Sequence, residues 1–130
     1  MVASEAVPFA KSGGLADVVG ALPAALQRQG EEVAVIMPRY RSIPWHETES
    51  AFDNMVVYAG ATPYRVDLRT KVHRGVRFFF VEAPYFFDRE GLYNYHGTDF
   101  GDNHRRFAVL ALAALGAAQT VFPCDILHCH

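Results

Sequence analysis

The sequence predicts an α/β fold: a parallel sheet carrying helices, interrupted by an antiparallel insertion. Three observations carry this. Val33–Met37 is an unbroken apolar run closed by Pro38, the pattern of a strand buried on both faces. An apolar opening at residues 1–4, a Gly-Gly pair and a helical repeat precede it, so the start reads strand, glycine turn, helix, strand. The middle of the chain consists of short, β-rich, partly alternating segments bounded by turn residues.

Each element has a local cause. Residues 1–4 form a short apolar strand, and Glu5–Ser12, with Pro8, a loop. From Gly14 onward, Leu15, Val18, Val19, Leu22, Ala25 and Leu26 recur at three- and four-residue spacing and make one apolar stripe. Pro23 inside it predicts a kink or the start of a second turn of helix, and Gly30 suits the positive-φ position past a helix end. Met55–Tyr58, Tyr64–Leu68, Lys71–His73 and Val76–Val81 read as strands, with Arg74-Gly75 as a hairpin turn. Ala83–Gly101 is a long aromatic loop with three glycines, a length often given over to function. Asp102–Thr120 is the plainest helix, with Phe107, Leu110, Ala111, Ala114, Leu115 and Ala118 on one face and Asp102 in its first turn. Ile126–Cys129 reads as a last strand after Pro123. The chain thus opens and closes on strand patterns, as expected of part of a larger domain.

Composition narrows the class. The 130 residues suit one domain, and 51% hydrophobic content provides a core. A net charge of −2 excludes a polybasic nucleic-acid binder. The longest strongly apolar stretch, Phe107–Ala118, is shorter than the roughly 20 residues a bilayer span needs, so no membrane partner is expected. No signal-peptide pattern is visible, and two cysteines make no disulfide framework; both suit a reducing cytoplasm.

Candidate chemistry centres on Lys11-Ser12-Gly13-Gly14. Ligands of open α/β sheets bind beyond the carboxyl ends of the strands. The free N–H groups of a helix start favour an anion there. Gly13 and Gly14 remove the Cβ atoms that would keep a ligand off the backbone, and Lys11 adds a mobile cation. By spacing alone, a diphosphate site and a plain tight turn with an exposed lysine both fit, because neither Gly-x-x-x-x-Gly-Lys-[Ser/Thr] nor Gly-x-Gly-x-x-Gly is present. Asp17, in the first helical turn, suits either the helix dipole or the ligand cleft. His128 and His130 share a strand face, but with Cys124 they make at most three ligands where structural zinc takes four, so no metal is expected. The aromatic group Tyr85, Phe86, Phe87, Tyr93, Tyr95 and Phe100 suits local packing, with a sugar platform as the alternative. Of His96, Asp99 and Asp102, the acids are expected to cap the following helix.

Several motifs in order carry a resemblance. Val2-Ala3-Ser4-Glu5, Pro8, Lys11-Ser12-Gly13-Gly14-Leu15-Ala16-Asp17-Val18 and Gly20-Ala21-Leu22-Pro23 resemble the opening of bacterial glycogen synthases and plant starch synthases. Ser12 replaces the usual threonine and keeps its hydroxyl. The resemblance continues at Val35–Tyr40, at Asp88–Tyr93, at Asp102-Asn103 with Arg106-Phe107, and at Asp125–His130, after which the family carries Asp-Trp-His.

This resemblance implies a retaining glucosyltransferase of the GT-B type, in which two Rossmann-like domains face each other across a cleft. Residues 1–130 would be part of the N-terminal domain, without the C-terminal nucleotide-binding domain that carries the catalytic glutamate. Glucose would pass from ADP-glucose, a substrate rather than a cofactor, to the non-reducing end of an α-1,4-glucan. No cofactor is implied. The lysine that contacts the sugar nucleotide matches Lys11, the motif glycines match Gly13 and Gly14, and its aspartate matches Asp17. The tyrosine near the transferred sugar matches Tyr93. The last segment would line the cleft, placing His130 beside substrate. Half a cleft is expected to be inactive on its own. The alternatives are a transferase using another nucleotide sugar and a non-catalytic module that binds glucan or a partner.

Overall fold

The computed structural model describes every residue from Met1 to His130. Its main sheet has four strands in the order β1 (Ala34–Pro38), β4 (Val76–Glu82), β3 (Thr62–His73), β2 (Glu49–Ala59). β1 and β4 are parallel; β4–β3 and β3–β2 are antiparallel. β1 is buried at all five positions, as its unbroken apolar run requires.

Two strands expected from the sequence are reduced to single bridges. Val2 pairs in parallel with Ile36 on one side and Cys129 on the other. Main-chain bonds from Val2 N to His128 O (2.8 Å) and from His130 N to Val2 O (3.0 Å) hold the last segment there. Ile126 is 80% exposed, so this segment has the direction of a strand without its burial. The parallel side therefore runs Cys129, Val2, β1, β4, and the opening βαβ unit is present.

The middle differs from expectation in two ways. Tyr64–Leu68 and Lys71–His73 are one strand, because Arg69 and Thr70 continue the pairing to Phe80 and Phe79. And β4 sits beside β1 as a core strand, which accounts for four buried residues in its Phe78–Val81 run. Arg74 and Gly75 take positive φ (49° and 83°), the pair a tight hairpin demands.

Helix α1 (Gly14–Gln27) is continuous through Pro23. Its buried residues are Ala16, Val19 and Pro23, while Val18 is half-exposed, so the stripe is turned by one position from the one predicted. Pro23 has no N–H to bond Val19, but its ring fills the core instead. Gly30 has φ 95°.

The loop 83–101 contains a single helical turn, α2 (Pro84–Phe87), and a small hairpin, β5 (Asn94–Tyr95) with β6 (Thr98–Asp99). Helix α3 (Asn103–Thr120) packs across β2, with Gly116 against Met55. Its buried residues are Arg106, Val109, Leu110, Ala113, Ala114 and Ala117; Ala111 and Leu115, predicted inside, are exposed. The tightly packed face is rotated because a charged residue, Arg106, is fully buried. Its guanidinium donates to Phe86 O (2.9 Å), Leu92 O (2.9 Å) and Asn103 Oδ1 (2.6 Å). It also lies 4.8 Å from the centre of the Phe100 ring and 5.4 Å from those of Phe87 and Phe107. Hydropathy alone places arginine outside; here it organises the whole 83–101 loop.

Candidate functional site

The parallel strand directions gather the candidate residues at one edge. Ser4 and Glu5 follow the Val2 bridge, Arg39 and Tyr40 follow β1, and His130 follows the Cys129 bridge, all at carboxyl ends. Gly13 is the N-cap of α1 and has no side chain with which to cap it. An added Cβ at Gly13 or Gly14 would meet nothing within 4 Å, so both open onto free space. Lys11 and Asp17 form an ion pair, with Nζ 2.6 and 2.8 Å from the two carboxylate oxygens and both side chains more than half exposed.

The amides of the glycine turn already have a partner. Glu5, only 4% exposed, accepts from the Ser12 amide, from Ser12 Oγ (3.0 Å) and from the Gly13 amide (3.3 Å). Thus the two donors closest to Lys11 are satisfied by an internal carboxylate. An anion at this helix start is left with the amides beyond Gly13, together with Lys11.

Tyr93 lies on the opposite side of Glu5. Its hydroxyl donates to Glu5 Oε1 (3.1 Å) and is bonded to Ser4 Oγ (2.7 Å); its carbonyl accepts from Asn103 Nδ2 (2.8 Å). Burial raises the Tyr93 phenol above its ordinary value; the Glu5 charge adds to the rise, and the Ser4 hydrogen bond opposes it. Tyr40, almost fully buried, donates to Ser4 O (2.8 Å), and burial pushes its phenol far up.

His130 stands at the far end. Its ring stacks on His128 with centres 4.4 Å apart, so the two do share a face. Partial desolvation, then the neighbouring His128 and the amino terminus, hold its imidazole below the usual value. It lines a cavity of about 380 Å³ with Ser4, Tyr93, Phe107, Leu110 and Leu127. Tyr93 and His130 therefore share one hollow, while Lys11 and Asp17 reach Tyr93 only through the turn and Glu5. No group of three His, Cys, Asp or Glu side chains has a geometry that could hold a metal ion.

Other polar candidates resolve differently. Asp102 occupies the N-cap of α3 without capping it; its carboxylate takes both Arg89 donors (2.7 and 2.6 Å), and Arg89 holds it below the usual carboxylate range. Among the aromatics, Phe86 and Phe87 are core and Phe100 lies against Arg106, whereas Tyr85 and Tyr95 are half-exposed. Trp45 lies under the Arg69 guanidinium at 4.5 Å. No helix is long and apolar enough to cross a membrane.

Sequence reasoning placed Ser4, Glu5, Tyr40, Asn103 and Arg106 within the resembling motifs but assigned none of them a role. One signal was available: Glu5 is an acid directly after an apolar strand and just ahead of a helix start whose cap position is a glycine.

A parallel core with the candidate residues at its strand ends, a glycine turn and a lysine define an α/β lobe of Rossmann-like character. The family model for the starch synthase catalytic domain matches residues 1–130. The chain belongs to that family. It is 39% identical over 130 residues to a glycogen synthase of Bacillus subtilis, covering 98% of this chain and 26% of that protein. It is 42% identical over 131 residues to a glycogen synthase of Myxococcus xanthus, covering 98% and 28%. Among solved structures it resembles the catalytic domain of starch synthase IV from Arabidopsis thaliana, bound to ADP and acarbose. The TM-score there is 0.81 at 32% identity, covering 99% of this chain and 27% of that one. The chain thus spans about a quarter of the length of these relatives.

Proposed function

We propose that residues 1–130 form one wall of a retaining glucosyltransferase cleft that transfers glucose from ADP-glucose to the non-reducing end of an α-1,4-glucan. The observation that carries this reading is the exposed Lys11 beside a Cβ-free helix start whose glycines face open space. Lys11 binds the diphosphate as a point charge and must leave Asp17 to do so. Gly13 and Gly14 admit the ligand to the backbone and to the amides at the start of α1. Asp17 is then free to accept from a donor hydroxyl. Tyr93 and His130 flank the hollow where the transferred sugar sits. The family membership and a relative bound to ADP and acarbose support the substrate classes. The opposite wall, with the diphosphate-holding basic residues and the catalytic glutamate, belongs to a C-terminal domain. Without it the 130-residue chain turns over no donor, because one wall neither excludes water nor orients two substrates.

The test is a chimera in which these 130 residues replace the matching quarter of the Bacillus subtilis relative, assayed for glucose incorporation into glycogen from ADP-glucose. Lys11→Gln is expected to lower kcat/KM by about tenfold to a hundredfold, the worth of a charged hydrogen bond. A folded chimera that transfers no glucose, or that tolerates Lys11→Gln, overturns the reading.

A further inference from the structure

We propose that Glu5 is a positioning residue, clamping the glycine turn to the loop that carries Tyr93 so that both keep one spacing across the sugar nucleotide. The inference deepens the reading above and rests on it for its catalytic consequence, though the clamp itself stands on geometry.

A buried carboxylate is costly unless it is paired or saturated with donors. Glu5 has no cationic partner; its partners are all N–H or O–H groups from two segments. Oε2 takes the amides of Ser12 and Gly13, and Oε1 takes Ser12 Oγ (3.0 Å) and Tyr93 OH (3.1 Å). The donors at Ser12 and Gly13 immediately precede the first turn of α1, so Glu5 fixes the entry into the helix without capping its first-turn amides. The Tyr93 hydroxyl has one proton. Given to Glu5, it leaves the phenol oxygen to accept from Ser4 Oγ (2.7 Å). The donor chain Ser4, Tyr93, Glu5 therefore has a single direction and ends on the one acceptor that also fixes the turn. Asn103 pins the Tyr93 carbonyl from the other side. Strand end, turn and loop are thus tied at one carboxylate, between residues 88 positions apart in the chain.

Glutamine at position 5 keeps the shape but not the charge, and offers one acceptor oxygen where the site uses two. In the 130-residue chain, Glu5→Gln is expected to speed amide exchange at Ser12 and Gly13 by about tenfold, the loss of one charged acceptor. Exchange within β3 and β4 stays as it was. Tyr93→Phe, whose hydroxyl bonds no amide, is expected to shift the Ser12 and Gly13 amide resonances as well; unchanged resonances there overturn the clamp even if Glu5→Gln fails to fold. In the chimera, Glu5→Gln and Tyr93→Phe are each expected to raise the KM for ADP-glucose, and the double variant to raise it no further than the larger single effect. A residue that only stabilised the fold would lower Tm and leave that KM alone. Additive effects on KM, or none from Glu5→Gln while Tyr93→Phe acts, overturn the inference with the transferase reading intact. An inactive parent chimera removes the transferase reading, and the amide measurements still decide the clamp.

Discussion

Gly20→Ala puts a methyl group where the structure has no room. Gly20 lies one turn beyond Ala16 on α1, and the Ala16 carbonyl accepts from the Val7 amide (3.1 Å), so this helix face carries the loop that follows Glu5. A Cβ at Gly20 would sit 2.2 Å from Val7 Cγ2, 3.0 Å from Val7 O and 3.4 Å from Val7 Cβ. Carbon–carbon contacts settle near 3.5–4.0 Å, so the loop must retreat by more than about 1 Å. Val7 is β-branched and has little rotamer freedom with which to yield. Such overpacking costs about 1–3 kcal/mol, and alanine's better helix propensity returns up to about 1 kcal/mol. The net loss is about 0–3 kcal/mol, centred on about 1.5 kcal/mol or a fall in Tm of about 5–6 °C for a chain this size, read by circular dichroism at 222 nm. Gly116→Ala is the control. Its Cβ would meet Met55 Sδ at 2.7 Å, but that is the flexible end of a methionine, so the change is expected to stay within about 1 kcal/mol of the parent. Adding Val7→Ala to Gly20→Ala removes the obstructing methyl and is expected to recover most of the loss. A Tm raised by Gly20→Ala, or no recovery in the double variant, refutes the steric argument.

Arg106→Met keeps the aliphatic stem but orphans the carbonyls of Phe86 and Leu92, at an expected cost of about 2–4 kcal/mol in urea unfolding, with new proteolysis between residues 88 and 101. A loss below about 1 kcal/mol contradicts the role given to it. Asp17→Asn breaks an ion pair whose two side chains are 51% and 57% exposed, and is expected to change stability by less than about 1 kcal/mol. A larger loss in thermal unfolding would make the pair structural. Burial raises the Tyr40 and Tyr93 phenols above the ordinary value of 10.0. Below that pH both folded and unfolded chains keep these protons and the stability is fully present. Above it the unfolded phenols ionise first, so stability falls as pH rises. Urea midpoints at successive pH values above 10.0 are expected to decline, less steeply in Tyr40→Phe; a flat profile refutes the assignment.

What was legible in the sequence follows the range of the interactions. The apolar run of β1, the Arg74-Gly75 turn and the existence of both long helices depend on neighbours a few residues away, and all appear in the structure. Helix faces depend on what packs across them. The stripe of α1 turns because Val7 and Pro23 share its inner side, and that of α3 turns because Arg106 finds three acceptors and three rings that hydropathy does not register. The merging of Tyr64–Leu68 with Lys71–His73 needs β4 as a partner, and only the long-range pairing of β4 with β1 distinguishes a core strand from part of a peripheral insertion.

The site divides along the same line. Lys11, Gly13, Gly14 and Asp17 lie within seven positions, and the turn before α1 with an exposed lysine, which the spacing suggests, is present. Asp17 lies in the first turn of α1, and that place puts it within reach of Lys11, an ion pair the sequence reading did not anticipate. The partner of the turn amides was not legible, because a helix start announces free donors and does not name the acceptor. Here the acceptor comes from the preceding strand end and is shared with a tyrosine from the other half of the chain. This changes what the glycine turn does. Two of its amides are committed to keeping the turn in place, so on the proposed reading ligand recognition would fall to Lys11, to the amides beyond Gly13 and to the space the missing side chains leave open. A methyl group at Gly13, which meets nothing in the protein, should therefore leave folding intact and obstruct only the ligand. In the chimera, Gly13→Ala is expected to keep the parent Tm within about 1 kcal/mol of stability while raising the KM for ADP-glucose. A Gly13→Ala variant that unfolds early, or that binds donor as the parent does, would show that the glycine serves the turn and not the cleft.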